Sequence, residues 1–261
     1  MEETSTKTIE RIGEQRKHVM ERLGRIRRRI AVMSGKGGVG KTTVAINIAA
    51  LLAENNSVGL LDADIDCPNV NKFLGITEKF SVSGGKIKPV EKYGMKIASM
   101  ASLQDSEDTA IIWRGPMISH AILQFLELVE WGNLDYLIID TPPGTSDAAL
   151  TLMQLVQLSG VVIVSTPHPV SLTDANKAIN MAKQMNVPVL GIIENMAGGI
   201  FGSGVEKLAE SSGVPLLGSI KLQKTLSSLT SGGVPAVKDD KNLRKDFENI
   251  VKKLLLHQQK D

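Results

Sequence analysis

The chain has 261 residues, 42% of them hydrophobic, enough for one substantial core, and no repeat or low-complexity stretch divides it. A formal net charge of +2 gives no electrostatic footprint for a polyanion, which leaves nucleic acid unsupported as a partner. The one cysteine, Cys67, excludes an intrachain disulfide, the opening "MEETSTKTIE" is polar, and no run approaches the roughly 20 apolar residues of a membrane span, so a cytoplasmic protein is expected.

From about Thr6 to Arg29 the chain is charged and helix-compatible, with Ile9, Ile12, Val19, Leu23 and Ile26 spaced as a narrow helical stripe. This reads as a helical N-terminal extension, residues 1–28, ahead of one domain over 29–261. Its "RLGRIRRRI" cluster reads as a solvated helix face leading into the first strand, with contact to anionic lipid or nucleic acid as the alternative. Apolar runs then alternate with helical patterns. "RIAVMS" ends at Ser34, "SVGLLD" at Asp62, "MKIASM" at Met100, "DYLIID" at Asp140, "GVVIVS" at Ser165 and "PVLGIIE" at Glu194. A weaker run, "PLLGSI", covers Pro215 to Ile220 as an edge strand. Runs apolar on both faces with helix-length spacers predict a doubly wound α/β fold with a mainly parallel seven- or eight-stranded sheet. Gly84 and Gly85 mark the turn of a surface hairpin. Near the C-terminus, Phe247, Ile250, Val251, Leu254 and Leu255 form an apolar stripe between lysines, predicting an amphipathic helix.

The stretch "MSGKGGVGKTTVAINIAALLAE" carries the chemistry. Gly35, Gly40, Lys41 and Thr42 have the spacing G-x-x-x-x-G-K-[ST], directly after a predicted strand and before a predicted helix. In that context glycines let backbone N–H groups turn inward around phosphate oxygens, and the helix N-terminus adds partial positive charge. Lys41 reaches the β and γ phosphates, and Thr42 offers its hydroxyl to magnesium. Lys36 is a second lysine in the same loop, and its side chain is expected to point outward across the nucleotide face. Here the loop resembles the deviant Walker A box of the MinD/ParA/nitrogenase iron protein group. That resemblance implies a P-loop NTPase in which Lys36 crosses a face-to-face homodimer interface to the neighbouring nucleotide.

Other strand ends supply the remaining groups. "LLDADIDCPNV" places Asp62 and Asp64 after the second strand, facing the phosphate site; in the related ATPases the second aspartate orients the attacking water. "DYLIIDTPPGTSD" ends on Asp140, a Walker B position for magnesium, and Pro142, Pro143 and Gly144 form a stiff segment able to sense the γ phosphate through a backbone N–H. "GIIENMAGG" places Asn195 where its amide presents a donor and an acceptor to an adenine edge, or else forms an Asx-turn. The expected catalytic residues are Lys36, Lys41 and Asp64. The nucleotide is expected on Gly35, Lys36, Gly37, Gly38, Val39, Gly40, Lys41, Thr42, Thr43 and Asn195, and magnesium on Thr42, Asp64 and Asp140.

Together with "WRGPM" (Trp113 to Met117), "WGNLDYLIIDTPPGTSD", "INMAKQ", "GIIENM" and "IFGSGVEKLAE", these segments resemble the Mrp family from about Arg29 to Val237. The resemblance implies an ATP- and magnesium-dependent homodimeric switch acting in iron-sulfur cluster assembly or transfer, with a client or scaffold protein as partner. Many such proteins carry a C-x-x-C pair just after the E-N-M segment. Here only "AGG" stands between Met196 and Ile200, and one cysteine is too few for a four-thiolate site, so no cluster held on the chain's own ligands is expected. Lys221 stands where relatives usually have a proline, which alters the adenine-side wall. His168, in "STPHP", reads as a hydrogen-bonding loop residue, and Cys67 as a small turn residue. The alternative function is a MinD/ParA-like regulatory or positioning ATPase that works through a protein, membrane or DNA partner without any cluster. MinD relatives anchor to membranes by a terminal amphipathic helix, so the stripe of Phe247 to Leu255 has membrane contact as its alternative to packing on the domain.

Overall fold

A computed structural model describes residues 2–78, 81–83, 85–100, 115–198, 202, 204–222 and 233–257. Gly84, Trp113, Arg114 and Ile200, and the side chains of Ile9 and Ile12, lie outside the described residues. Helix α1 (Glu2–Leu23) ends where Gly24 N–H closes its last turn on Met20 O, 2.8 Å away. Strand β1 (Ile26–Ser34) then begins at once, with Ile26 in register with Leu134. The helix therefore ends at Leu23, and Ile26 to Arg28 belong to the sheet, because Ile26 gains a ladder partner and 2% exposure there.

After β1 come α2 (Lys41–Leu52), β2 (Val58–Asp62), α3 (Val70–Phe73), β3 (Ser81–Ser83), β4 (Lys86–Lys88), β5 (Val90–Lys92) and β6 (Met95–Ser99). Next are α4 (Gly115–Leu128), β7 (Leu134–Asp140), α5 (Asp147–Leu155), β8 (Gly160–Ser165), α6 (Pro169–Gln184) and β9 (Val189–Ala197). The described chain finishes with α7 (Gly204–Ser212), β10 (Leu216–Lys221), α8 (Ala236–Asp239) and α9 (Lys241–His257). The main sheet has eight strands in the order β10-β9-β8-β1-β7-β2-β6-β5, and only β5 runs antiparallel to its neighbour. β3 and β4 form the surface hairpin, with Gly85 in the left-handed region at φ 73°.

Strands β2 and β8 are buried along their whole length, as the continuous apolar runs require when helices cover both faces. On one face α1, α4, α5, α6 and α7 enclose a core that includes Val19, Leu23, Phe125, Trp131 and Ile179. On the other, α2 and α9 enclose Ile48, Leu60, Leu217, Phe247 and Leu254. Helix α2 is buried on nearly every side, which explains the unbroken apolar run around it. Its Asn47, 1% exposed, donates from Nδ2 to Thr43 O at 2.8 Å and accepts the Val237 N–H at 2.9 Å, tying α2 to α8.

The C-terminal stripe packs on the domain. Leu243, Phe247, Ile250 and Leu254 are buried against α2 and β10, so the face that the membrane alternative needs is already occupied. Among the described residues no helix is long and apolar enough to cross a membrane. Phe247→Ala should cost about 3–5 kcal/mol of unfolding free energy in urea titration; a loss below about 1 kcal/mol would show that α9 contributes little to this core.

Candidate nucleotide site

The parallel register brings the functional strand ends together. Asp62 of β2 and Val32 of β1 both lie in register with Asp140 of β7, so Ser34, Asp62 and Asp140 emerge at one edge of the sheet, around the loop that enters α2. Ligands of open α/β sheets bind at the carboxyl ends of such strands. Gly38 and Gly40 hold φ at 77° and 86°, the left-handed region that a side chain rarely adopts. Gly40 caps α2 without a side-chain partner, which leaves the first N–H groups of the helix for an anion.

Lys41 is 6% exposed and its Nζ donates to Asp140 Oδ1 at 2.5 Å; Thr42 Oγ1 donates to Asp140 Oδ2 at 2.6 Å. Both oxygens of one buried carboxylate are thus held by consecutive residues of the loop. Burial raises the Asp140 carboxyl, against the opposing pull of Lys41 and Thr42. Asp62, fully buried, is pushed up to about 7, first by burial and then by the Asp140 charge. Its Oδ1 accepts the Asp64 N–H at 3.2 Å, and its Oδ2 accepts the Val70 N–H at 3.0 Å and the Ser99 hydroxyl at 3.1 Å. Asp62 therefore closes the loop 63–70 at both ends and does not point freely at a phosphate. Asp64, 8% exposed, is raised by burial and lowered by Lys41, and its Oδ1 accepts the Cys67 N–H at 3.1 Å.

Several sequence expectations are reshaped by packing. A Cβ on Gly35 would sit 2.0 Å from the Asp174 carbonyl carbon, so that glycine is required by the close approach of α6. Gly144 N–H, expected to await a phosphate, donates to Ser34 O at 2.8 Å. Asn195 lies within β9 and is 2% exposed; its Nδ2 donates to Val39 O at 2.8 Å, while its buried Oδ1 has no partner among the described residues. One of the two amide N–H donors is thus committed to the loop. His168 caps α6, its Nδ1 accepting the Val170 N–H at 3.2 Å. Lys221 is exposed at the end of β10, and Cys67 is exposed on the 63–70 loop. Lys36 is half-buried and makes no ion pair among the described residues, while Thr43 is buried at the start of α2.

Sequence reading missed Ser99, whose only signal is its position at a strand end, and Asn47, whose signal is a lone amide in an apolar helical run. A recess of about 420 Å³ between α1 and α5, lined by Arg16, Val19, Met20, Gln154 and Leu155, lies apart from these groups.

Among the described residues no three His, Cys, Asp or Glu side chains are grouped to hold a metal by themselves. The oxygen set of Thr42 and Asp140 fits magnesium, which is usually bound by one or two carboxylates together with substrate phosphates. A single exposed thiol does not fit a four-thiolate cluster.

Comparison with known proteins agrees with this geometry. The iron-sulfur cluster carrier protein of Methanocaldococcus jannaschii is 43% identical over 97% of this chain and 92% of its own length. That of Aquifex aeolicus is 46% identical over 86% of this chain, which spans 66% of that relative. A nucleotide-binding protein of Archaeoglobus fulgidus, solved in complex with ADP, superposes with a TM-score of 0.76 at 37% identity, covering 89% of this chain and 95% of the other. The family model described as ParA, NUBPL iron-transfer P-loop NTPase, matches residues 25–255, and the chain belongs to that family.

Proposed function

We propose that this chain is an ATP-binding and ATP-hydrolysing dimeric switch of the Mrp type that acts in iron-sulfur cluster assembly or transfer. The observation that carries the nucleotide reading is the buried pair of contacts from Lys41 and Thr42 to Asp140, beside an uncapped α2 N-terminus. A lysine ammonium held inside the sheet edge by a carboxylate is positioned before any phosphate arrives, so little ordering cost is left for binding. The partnerless Asn195 Oδ1 suits an exocyclic amino donor such as that of adenine.

In the proposed reaction, water attacks the γ phosphorus and the bond to the β-bridging oxygen breaks. Asp64 orients the water; burial raises its carboxyl and makes it a better proton acceptor. Lys41, and Lys36 of the facing subunit, stabilise the charge on the phosphoryl oxygens. Magnesium would be held by Thr42, Asp64 and Asp140 and would supply charge neutralisation at the phosphates. Turnover is slow, since the proposed output is a nucleotide-dependent change of dimer state. The protein is placed in the cytoplasm, with a client or scaffold as partner. With one cysteine of its own, the chain works on a cluster whose thiolates another protein provides.

The second reading, a MinD/ParA-like regulatory ATPase without a cluster, is favoured by the lone exposed Cys67. It needs a protein or DNA partner more than a membrane, because the apolar face of α9 is buried.

Lys41→Ala should abolish ATP binding in calorimetry; a variant that melts cooperatively and keeps the parent affinity would remove the loop as the site. Asp64→Ala should keep ATP binding within about threefold and lose at least about 100-fold in turnover, the signature of a group used in the transition state. Equal losses in both would make Asp64 a structural or metal-holding residue. After anaerobic reconstitution with iron and sulfide the protein should remain nearly colourless. A four-iron absorption spectrum that disappears in Cys67→Ser would instead place a bridging cluster at that loop.

A further inference from the structure

Ser34 is the last residue of β1, 1% exposed, and it makes contacts in two directions. Its carbonyl accepts the Gly144 N–H at 2.8 Å, and its hydroxyl donates to the carbonyl of Lys36 at 2.9 Å. The residue itself is fixed by the sheet, in register with Val164 of β8. The next residue, Gly35, is wedged against the backbone of Asp174 and Ala175. Beyond Lys36 the loop is open for two residues, until Val39, which is buried and accepts from Asn195. Gly37 and Gly38 are exposed, and a Cβ on either would meet nothing within 4 Å.

We infer that Ser34 is a positioning residue for Lys36: its hydroxyl, presented from the rigid end of β1, fixes the Lys36 backbone and so aims the lysine side chain across the nucleotide face. The carbonyl and the Cα–Cβ bond of Lys36 leave the same atom, so holding the carbonyl restricts ψ and with it the direction of the side chain. Two open glycines follow, and glycine is the residue with the most backbone freedom. Without the Ser34 hydroxyl the ammonium would sample a wide cone, and each productive contact with a facing nucleotide would carry that ordering cost. Because the Ser34 carbonyl holds Gly144, the aim of Lys36 and the place of the Pro142–Gly144 segment share one anchor.

This inference rests on the proposed role of Lys36 across the dimer, and a double-mutant cycle separates the two. Dimerisation with a nonhydrolysable ATP analogue and magnesium is measured by light scattering over a range of protein concentrations for the parent, Ser34→Ala, Lys36→Ala and the double variant. Analogue binding to dilute protein is measured by calorimetry. Ser34→Ala should weaken dimerisation about fivefold to tenfold, the value of one hydrogen bond, with analogue binding to the monomer changed by less than about twofold. In the Lys36→Ala background it should have no further effect. Ser34→Cys, close in size to serine, gives a second variant and should lose dimerisation as Ser34→Ala does. A weakened Lys36→Ala beside Ser34→Ala and Ser34→Cys variants that dimerise like the parent overturns the role of Ser34 alone. Equal losses that add in the double variant overturn it too, because Ser34 would then act independently of Lys36. A Lys36→Ala variant that dimerises like the parent overturns the cross-subunit reading and this inference with it.

Discussion

The buried contact between Lys41 and Asp140 joins the loop that enters α2 to the end of β7, and the candidate site is organised around it. An isolated ammonium or carboxylate at this depth would be expensive to bury, so each charge makes the other tolerable. Thr42 takes the remaining carboxylate oxygen, which leaves Asp140 satisfied on both sides. A pair of this kind is poor evidence for stability but good evidence for a fixed geometry. Under the proposed function, a phosphate arriving at the α2 N-terminus would meet a lysine already in place, and a magnesium ion would meet a carboxylate and a hydroxyl already side by side.

Around that pair the strand-end residues divide their labour. Asp62 is committed to structure: its carboxylate accepts from Asp64, Val70 and Ser99, and so closes the 63–70 loop. Asp64 lies inside the loop so closed, less buried than its neighbour and nearer to solvent. Two aspartates two positions apart are therefore placed differently, Asp62 setting the shape of the loop and Asp64 lying less deeply within it. On the β1 side of β7, Gly144 is held to Ser34. The segment at Gly144 is thus tied to the end of β1 by a single hydrogen bond of about 1 kcal/mol, whereas the 63–70 loop is held at both ends by the Asp62 carboxylate.

The remainder of the chain holds this edge rigid. Helix α2 has core on nearly every side, and Asn47 fastens α8 to it through a buried amide satisfied at both ends. At its C-terminal end Glu54 accepts both Arg244 guanidinium nitrogens at 2.8 Å, in the forked arrangement that fits arginine to a carboxylate. Helix α9 then buries Phe247 and Leu254 in the same core. The loop before α2 is carried by one of the most enclosed elements of the molecule, which keeps its backbone N–H groups aligned.

The sequence by itself determined the doubly wound sheet, because strands buried on both faces must be written as continuous apolar runs, and it located the loop from Gly35 to Thr42, because only glycines permit its left-handed turns. Asp62, Asp64, Asp140 and Asn195 were legible as strand-end or near-end polar residues in the right order. Their partners were not legible. Nothing local to Asp62 indicates Ser99, nothing near Gly144 indicates Ser34, and Asn195 shows its bond to Val39 only once β9 lies beside the loop. The helix-to-strand boundary at Gly24 is likewise not legible along the chain, since Ile26 fits a helical stripe as well as a strand until Leu134 is opposite it. Periodicity and turn chemistry act between residues a few positions apart and can be read along the chain. Hydrogen bonds spanning 37, 99 or 156 positions depend on which strands become neighbours, and only the tertiary structure decides that.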